Sequence, residues 1–538
     1  MDMSPRTLLV ANVKLPVDAS QEEAFSVALR RLRKNGISFK NAACSIFRRS
    51  VDARRRSDVQ FVYSVAVTAD FSDLDVGSCS DITILESAEP RVVRGSDKLS
   101  ARPMVVGMGP CGLFAALLLA EQGYKPIIID RGGNVRDRTR SRLLFNSERV
   151  LDPESNVQFG AGGAGTFSDG KLVTRINDPL SSYVLDTLVR FGASESIKYV
   201  AKPHVGTDVL TGIVDRMLAE IERLGGEVCY NTKFLNFTTN SRKIISVSTT
   251  AGDFDVGALI LAVGHSARDT YSMLLSKGVS IEGKAFSVGM RIEHLAEDID
   301  KALYGDFAGN PNLGHAEYNL ANDTKNRGVY TFCMCPGGEV VAAASEEGGL
   351  VVNGMSNNAR DGVNSNSAVV CSIFRDDYGS SPDKAIEFQR NIERKAFSAG
   401  KQPYFAPFIT VGDFLSGNLS REPSRIKPTY MGGRSLSLER PEKYLPTFVC
   451  EAIKKALVSF DKRIPGFAAS EAVLTGAETR TSAPVRILRD GSTHLALGYD
   501  NLYPAGEGAG YAGGITSAAV DGLKTAISVI ARYKPIDG

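Results

Sequence analysis

The sequence predicts an α/β fold in which a Rossmann-like dinucleotide-binding unit is interrupted by an inserted α+β region and preceded by a small α+β domain. Three observations predict it. A short apolar strand from Met104 runs through a glycine loop into an apolar helix, a second strand, Pro126 to Asp130, ends on an acidic residue, and a late strand at Leu502 passes through another glycine loop into a helix. The 52 glycines among 538 residues gather at these loops rather than spreading evenly.

Length and composition set the frame. At roughly 150 residues per domain, the chain has room for two or three domains. Its hydrophobic share of 43% and charged share of 23% exclude disordered, collagen-like and coiled-coil classes.

Taken in order, Thr7 to Leu15 alternates as a strand, Ser20 to Asn35 has helical periodicity with Gly36 as its stop, and Ala42 to Ser50 and Gln60 to Thr68 alternate again. This makes an N-terminal α+β domain over 1–97, closed by the region of Pro90, Gly95 and Pro103. The predicted dinucleotide-binding domain is discontinuous, 98–270 with 485–538, around a substrate-side α+β domain over 271–484.

The overall charge of +2 conceals a bias, because residues 1–60 hold 12 basic and 6 acidic side chains. Arg30, Arg31, Arg33, Lys34, Arg48, Arg49 and Arg54 to Arg56 form a basic stripe. A solvated domain face accounts for it, and nucleic acid as a partner is the less favoured reading because no aromatic recognition motif accompanies the stripe. Eight cysteines without framework spacing suit a reducing compartment, and no apolar run reaches the ~18 residues of a membrane span, so a cytoplasmic protein is expected.

The glycine loop is Gly107-x-Gly109-x-x-Gly112. The first glycine permits a tight turn, the second admits a pyrophosphate, and the third lets the helix close on the strand, so that the helix N-terminus faces the phosphates. Asp130 is placed to accept ribose hydroxyls. NAD and FAD share this pattern, and three later segments favour FAD: the loop Gln158 to Leu172, the buried strand Ala258 to Gly264, and Leu502 to Gly522, which sets Glu507 beside a helix start at Gly514 and Ile515.

Together these motifs resemble the flavoproteins of the glutathione reductase fold class. Phe159 to Leu172, Ser287 to His294, Tyr330 to Gly338, Val352 to Ser356 with Ala359 to Gly362, and Thr475 to Arg486 look like the signatures of a family of largely uncharacterised FAD-dependent dehydrogenases. The stretch Arg49 to Arg54 is similar to that family's extra N-terminal domain. The resemblance implies FAD contacts at Gly107, Gly109, Pro110, Cys111, Gly112, Asp130, Arg131, Gly162, Gly163, Gly264, Gly506, Glu507, Gly514 and Ile515. It also implies an adenine contact from the backbone of Lys233 or Phe234 on a strand over Val228 to Phe237. Asp130 stands where glutamate is commoner, and Cys111 lies within the glycine loop.

A flavin carries its own redox chemistry, so a catalytic triad is not required. His204, His265, His294, His315 and His494 have no metal-site spacing, and His265, after its strand, is the best placed as an acid or base. Cys333 and Cys335 are expected on one strand face. They lack the Cys-x-x-Cys spacing, and ordinary burial is the favoured reading, which argues against a disulfide reductase. Arg291, Arg480 and Arg486 suit either an anionic substrate or structural ion pairs. Tyr404, Phe405, Phe408 and Phe414 read as core or as pocket lining.

The expected activity is an oxidoreductase on a small molecule, with an unidentified electron donor or acceptor. NAD(P)H is a candidate, although no second strand-glycine-helix unit marks a site for it. A flavin-dependent RNA-modifying protein and a non-catalytic FAD scaffold are the alternatives.

Overall fold

Alternation along Arg6–Pro16 turns Leu8, Val10 and Val13 inward, and this strand pairs antiparallel with Gln60–Ser72. The computed structural model describes residues 6–72, 79–85, 92–324, 327–420 and 422–536. Ser38–Asp52 and Ile82–Ile84 complete a four-stranded sheet. Helix Gln21–Lys34 covers it with Ala24, Ala28 and Leu32. Its start is a capping box, in which Ser20 and Glu23 satisfy each other's backbone N–H groups.

This unit is fastened to the rest of the chain by backbone. Arg49 N–H donates to Tyr199 O at 2.7 Å, and Ala201 N–H donates to Arg49 O at 2.8 Å. The Asn312 side chain reaches Val17 O from the other side.

Five parallel strands form the central sheet, in the order Leu502–Pro504, Leu259–Leu261, Met104–Val106, Ile127–Ile129, Glu227–Cys229. The middle three are buried along their whole length, which is why they read as short apolar runs rather than alternations. Helices Pro110–Glu121 and Ile515–Arg532 lie side by side against the sheet. Their approach is so close that a Cβ on Gly522 would sit 2.1 Å from Cys111 O.

The strand expected over 228–237 is two strands in two sheets. Glu227–Cys229 ends the parallel sheet, and Phe234–Asn240 opens an antiparallel one with Lys243–Thr249 and Gly252–Asp255. Between them Asn231 takes φ 50° while Asn231 and Thr232 donate backbone N–H to Gly132 O and Asp130 O. The turn is bound by backbone, so side-chain alternation does not reveal it.

The third unit is a seven-stranded sheet, ordered Ala321–Thr324, Arg327–Cys335, Asn364–Ile373, Phe286–Leu295, Val473–Glu478, Ala406–Thr410, Leu436–Leu438. Its central strand, Phe286–Leu295, is buried at all ten positions. Helices Pro382–Ala399 and Thr447–Asp461 pack on the sheet. Tyr404, Phe408 and Phe414 lie in this core, so the aromatic run is packing and not pocket lining, with only Phe405 partly exposed.

The boundary expected between 270 and 271 falls inside helix Arg268–Ser276. The chain returns toward the parallel sheet through Val485–Ile487, which pairs with Ile281–Gly283. Among the described residues, no helix is long and apolar enough to cross a membrane.

Candidate functional site

Gly107 leaves the first parallel strand at φ 105°, and a Cβ there would lie 2.2 Å from Ala262 O, so no other residue fits. Gly109 then caps helix Pro110–Glu121 with no side-chain acceptor, and Pro110 takes a first-turn position whose N–H would have no helical partner. The helix start therefore presents free N–H groups to anything anionic in the loop. Helix Ile515–Arg532 starts the same way, at Gly514, without a side-chain cap.

The loop over 159–167 joins these two starts. A Cβ on Gly163 would meet Gly109 Cα at 2.8 Å, and one on Gly165 would meet Ile515 at 3.0 Å. Around Gly264 and Gly514 a Cβ would meet nothing within 4 Å, so the floor is tight and the opening clear. Thr166 Oγ1, fully buried at Gly162, has no hydrogen-bond partner. Gly107, Gly109, Pro110, Gly112, Gly162, Gly163, Gly264, Gly506, Gly514 and Ile515 are thus brought into one cradle, and Cys111 packs beneath Gly506.

Polar side chains hold the cradle from behind. Arg138 is fully buried and donates to the carbonyls of Asn156, Val157, Ala161 and Gly163, so its guanidinium shapes the whole loop. Asp521 accepts from Gly506 N–H at 2.6 Å and is fixed by Arg489 at 2.6 Å. Tyr271 donates through its hydroxyl to Gly264 O and Gly508 O, tying two loops together. Sequence reasoning missed all three. Arg138 stands in a charged helix that reads as exposed, and Tyr271 and Asp521 carry no local signal.

Asp130 has a structural task beyond the one expected. It is buried and accepts backbone N–H bonds from Met108 at 2.8 Å, Gly160 at 2.8 Å and Gly132 at 3.0 Å, so it organises the glycine loops. These three bonds use three of the roughly four acceptor positions on a carboxylate. The small cleft here is lined by Gly107, Asp130, Arg131, Phe159, Thr232 and Phe234. Arg131 lies 4.4 Å over the Phe159 ring and pairs with Asp269 at 2.7 Å. Lys233 pairs with Glu154 at 2.6 Å and Asp269 at 2.9 Å, and its backbone N–H donates to Thr250 Oγ1 while its carbonyl accepts from Thr250 N–H.

The catalytic candidates fare unequally. His265 binds Ser266 Oγ at 2.9 Å, and burial followed by the nearby Arg480 and Arg268 pushes its pKa down to about 3. The imidazole is thereby held in its neutral form at pH 7. Arg291 makes a two-pronged pair with Glu478 at 3.0 and 3.1 Å and also holds Cys333 O and Asn366 Oδ1. Arg480 is locked to Glu393 at 2.7 and 3.0 Å. Arg480 keeps one buried nitrogen, Nη1, without a partner, and Arg486 reaches Glu282 only at 3.8 Å.

Glu507 is the titratable group at the cradle's open end. Burial pushes its pKa up to about 7 against the opposing pull of Lys284, so it holds a proton near neutral pH. Strand Arg327–Cys335 does not alternate through its cysteines. Its pairing slips between Phe332 and Cys335, with Cys333 at φ 45°, leaving Cys335 buried and Cys333 partly exposed.

Comparison with known proteins adds the following. Residues 285–481 match the family model described as FAD-dependent protein, C-terminal domain-like, and residues 8–68 match a domain of unknown function. An uncharacterized protein of Clostridium beijerinckii is 47% identical over 494 residues, 91% of this chain and 92% of that one. Among solved structures, glycine oxidase from Bacillus cereus aligns with TM-score 0.34 and 10% identity over 82% of this chain and 100% of its own. CtdE in complex with FAD aligns at TM-score 0.30 and 9% identity over 80% and 84%.

Proposed function

This chain belongs to a family of FAD-dependent proteins and takes FAD as its cofactor, and on that premise we propose that it is an oxidoreductase acting on a small-molecule substrate. The observation that carries the proposal is the cradle: two helix starts without side-chain caps, joined by glycine loops, with a clear opening.

When bound, FAD supplies the hydride or electron transfer. The chain's part is to bind, orient and handle protons. Gly107, Gly109, Gly112 and the start of helix Pro110–Glu121 receive the diphosphate. Gly162 and Gly163 close over it, and the open acceptor of Asp130 takes a ribose hydroxyl, with Arg131 and Phe234 beside the adenosine. Gly506, Glu507, Gly514 and Ile515 take the ribityl and flavin end, where the second helix start favours negative charge. Glu507, poised near neutral pH, holds a proton at its carboxyl for exchange with the reacting groups.

The test is direct. Purified protein should be yellow, release flavin on denaturation and bleach on photoreduction, whereas Gly107→Val should be colourless. A wild-type preparation that is colourless and cannot be reconstituted with FAD overturns the reading.

A further inference from the structure

The four-stranded sheet of the N-terminal unit ends on one side in strand Ser38–Asp52, whose inner edge pairs with Gln60–Ser72. Its outer edge is in use at one point. Arg49 bonds through both its N–H and its carbonyl to the segment around Val200, by the same 2.7 and 2.8 Å bonds that fasten this unit to the rest of the chain. The edge therefore accepts an extended segment. Over residues 38–47 none of the described residues bonds to the backbone of that outer edge.

A strand edge without a neighbour offers N–H and C=O groups at regular spacing to any extended chain that reaches it. The register shifts between Lys40 and Ala43 and again between Ile46 and Arg48, which bends the strand. Such bends discourage a long, flat pairing with a second copy. They do not exclude a short segment, because Arg49 is paired immediately past the second shift.

Charge selects the partner. Arg30, Arg33 and Lys34 at the end of the preceding helix, Arg48 on the strand, and Arg55 and Arg56 in the turn after it are all exposed, and none pairs with a carboxylate among the described residues. Nearby acids are engaged, Asp52 by Arg54 and Lys14, and Asp81 by Arg31 and Asn12. The edge is thus flanked by six unpaired cations, which favour an acidic comer. Single-stranded nucleic acid would meet the same charges, but its bases need exposed rings to stack on, and Phe47 is the one ring exposed in this unit among the described residues. Backbone groups in a row suit a peptide instead.

We propose that the outer edge of strand Ser38–Asp52 is a docking site for an acidic, extended segment of a partner protein, which adds as a further strand along residues 38–47. The basic stripe then has a task, which is to draw that segment to the edge.

The experiment uses the full chain with its cofactor and three fluorescent probes: a decapeptide alternating glutamate and valine, the same peptide N-methylated at every residue, and decauridylate. The two peptides carry equal charge, but only the first can donate N–H groups to the edge. It should bind, and it should protect the amides of residues 38–47 from hydrogen exchange. The N-methylated peptide should bind roughly tenfold more weakly or not at all. Lys34→Glu combined with Arg48→Glu should weaken the first peptide to a similar degree and leave the flavin content unchanged. Equal binding of the two peptides overturns strand addition, and decauridylate binding tighter than the first peptide makes the surface one for nucleic acid. Binding of no probe, or protection that falls outside residues 38–47, overturns the docking site itself.

Discussion

The glycine-loop half and the seven-stranded half solve the problem of buried charge in opposite ways. Around the cradle, single charged groups are satisfied by backbone: Arg138 by four carbonyl groups, Asp130 by three N–H groups. In the other half, charges close on each other, as Arg291 does on Glu478, and as Arg268 and Arg480 do on Glu393. A charge bonded to backbone shapes a loop and leaves the surface in front of it open for a ligand. A charge bonded to a charge fastens two elements to each other.

The comparison breaks most visibly at Glu393, which is 1% exposed between two buried guanidinium groups. Glu393→Gln leaves buried Arg480 without its paired carboxylate and Arg268 with Glu346 alone, and removing one partner from a buried ionic group costs about 3 to 5 kcal/mol. Denaturant unfolding should show that loss, while a change below about 1 kcal/mol would mean the network is not holding the two halves together. Burial alone would raise the Glu393 pKa, but Arg268 and Arg480 outweigh it and hold the carboxyl well below its usual range. A depressed folded pKa stabilises above the unfolded value near 4.3, and that stability is lost as pH falls below it. The gap between wild type and Glu393→Gln should therefore be widest at pH 6 to 7 and narrow steadily below about pH 4.

At the cradle the same logic predicts a loss of ligand before a loss of fold. Arg138→Met keeps the side chain's length but abandons four carbonyls, and each unsatisfied buried group costs about 1 to 3 kcal/mol. The loop over 156–163 should loosen, FAD affinity should fall at least tenfold, and the protein should purify with substoichiometric flavin. A variant that retains full flavin content would show that the glycines hold the loop unaided. Tyr271→Phe is the milder version, since it removes one hydroxyl bridging Gly264 O and Gly508 O. About 1 kcal/mol corresponds to a roughly five-fold weaker FAD dissociation constant, measurable by fluorescence titration.

Much of the cradle was legible in sequence because glycines are read by position. Gly107, Gly112 and Gly163 mark places where backbone must pass close to backbone, and spacing between strand and helix signals announces that. Asp130 was legible as a site residue but not in its main task, because accepting N–H groups from three different segments is a tertiary fact. The backbone bond of Lys233 to Thr250 was hidden for a similar reason, as it joins segments separated by 17 residues. The inward turn of Arg138 is decided by carbonyls 18 to 25 residues away, which no helical periodicity records.

The smallest effect should come from the basic stripe, the feature that most suggested a polyanionic partner. Part of it is already engaged within the chain: Arg31 donates to Ala11 O and Asn12 O, and Arg49 packs over Phe61 and Tyr199 where the N-terminal unit meets the rest. Arg54 is 81% exposed and pairs with Asp52 on the surface. Such pairs contribute between nothing and about 1 kcal/mol and are screened by salt. Arg54→Ala should therefore leave the unfolding midpoint and the flavin content unchanged. A clear shift, or a salt-dependent loss of bound RNA, would make this exposed arginine a third kind of charge in the molecule, one turned outward to a partner rather than to backbone or to a counter-ion.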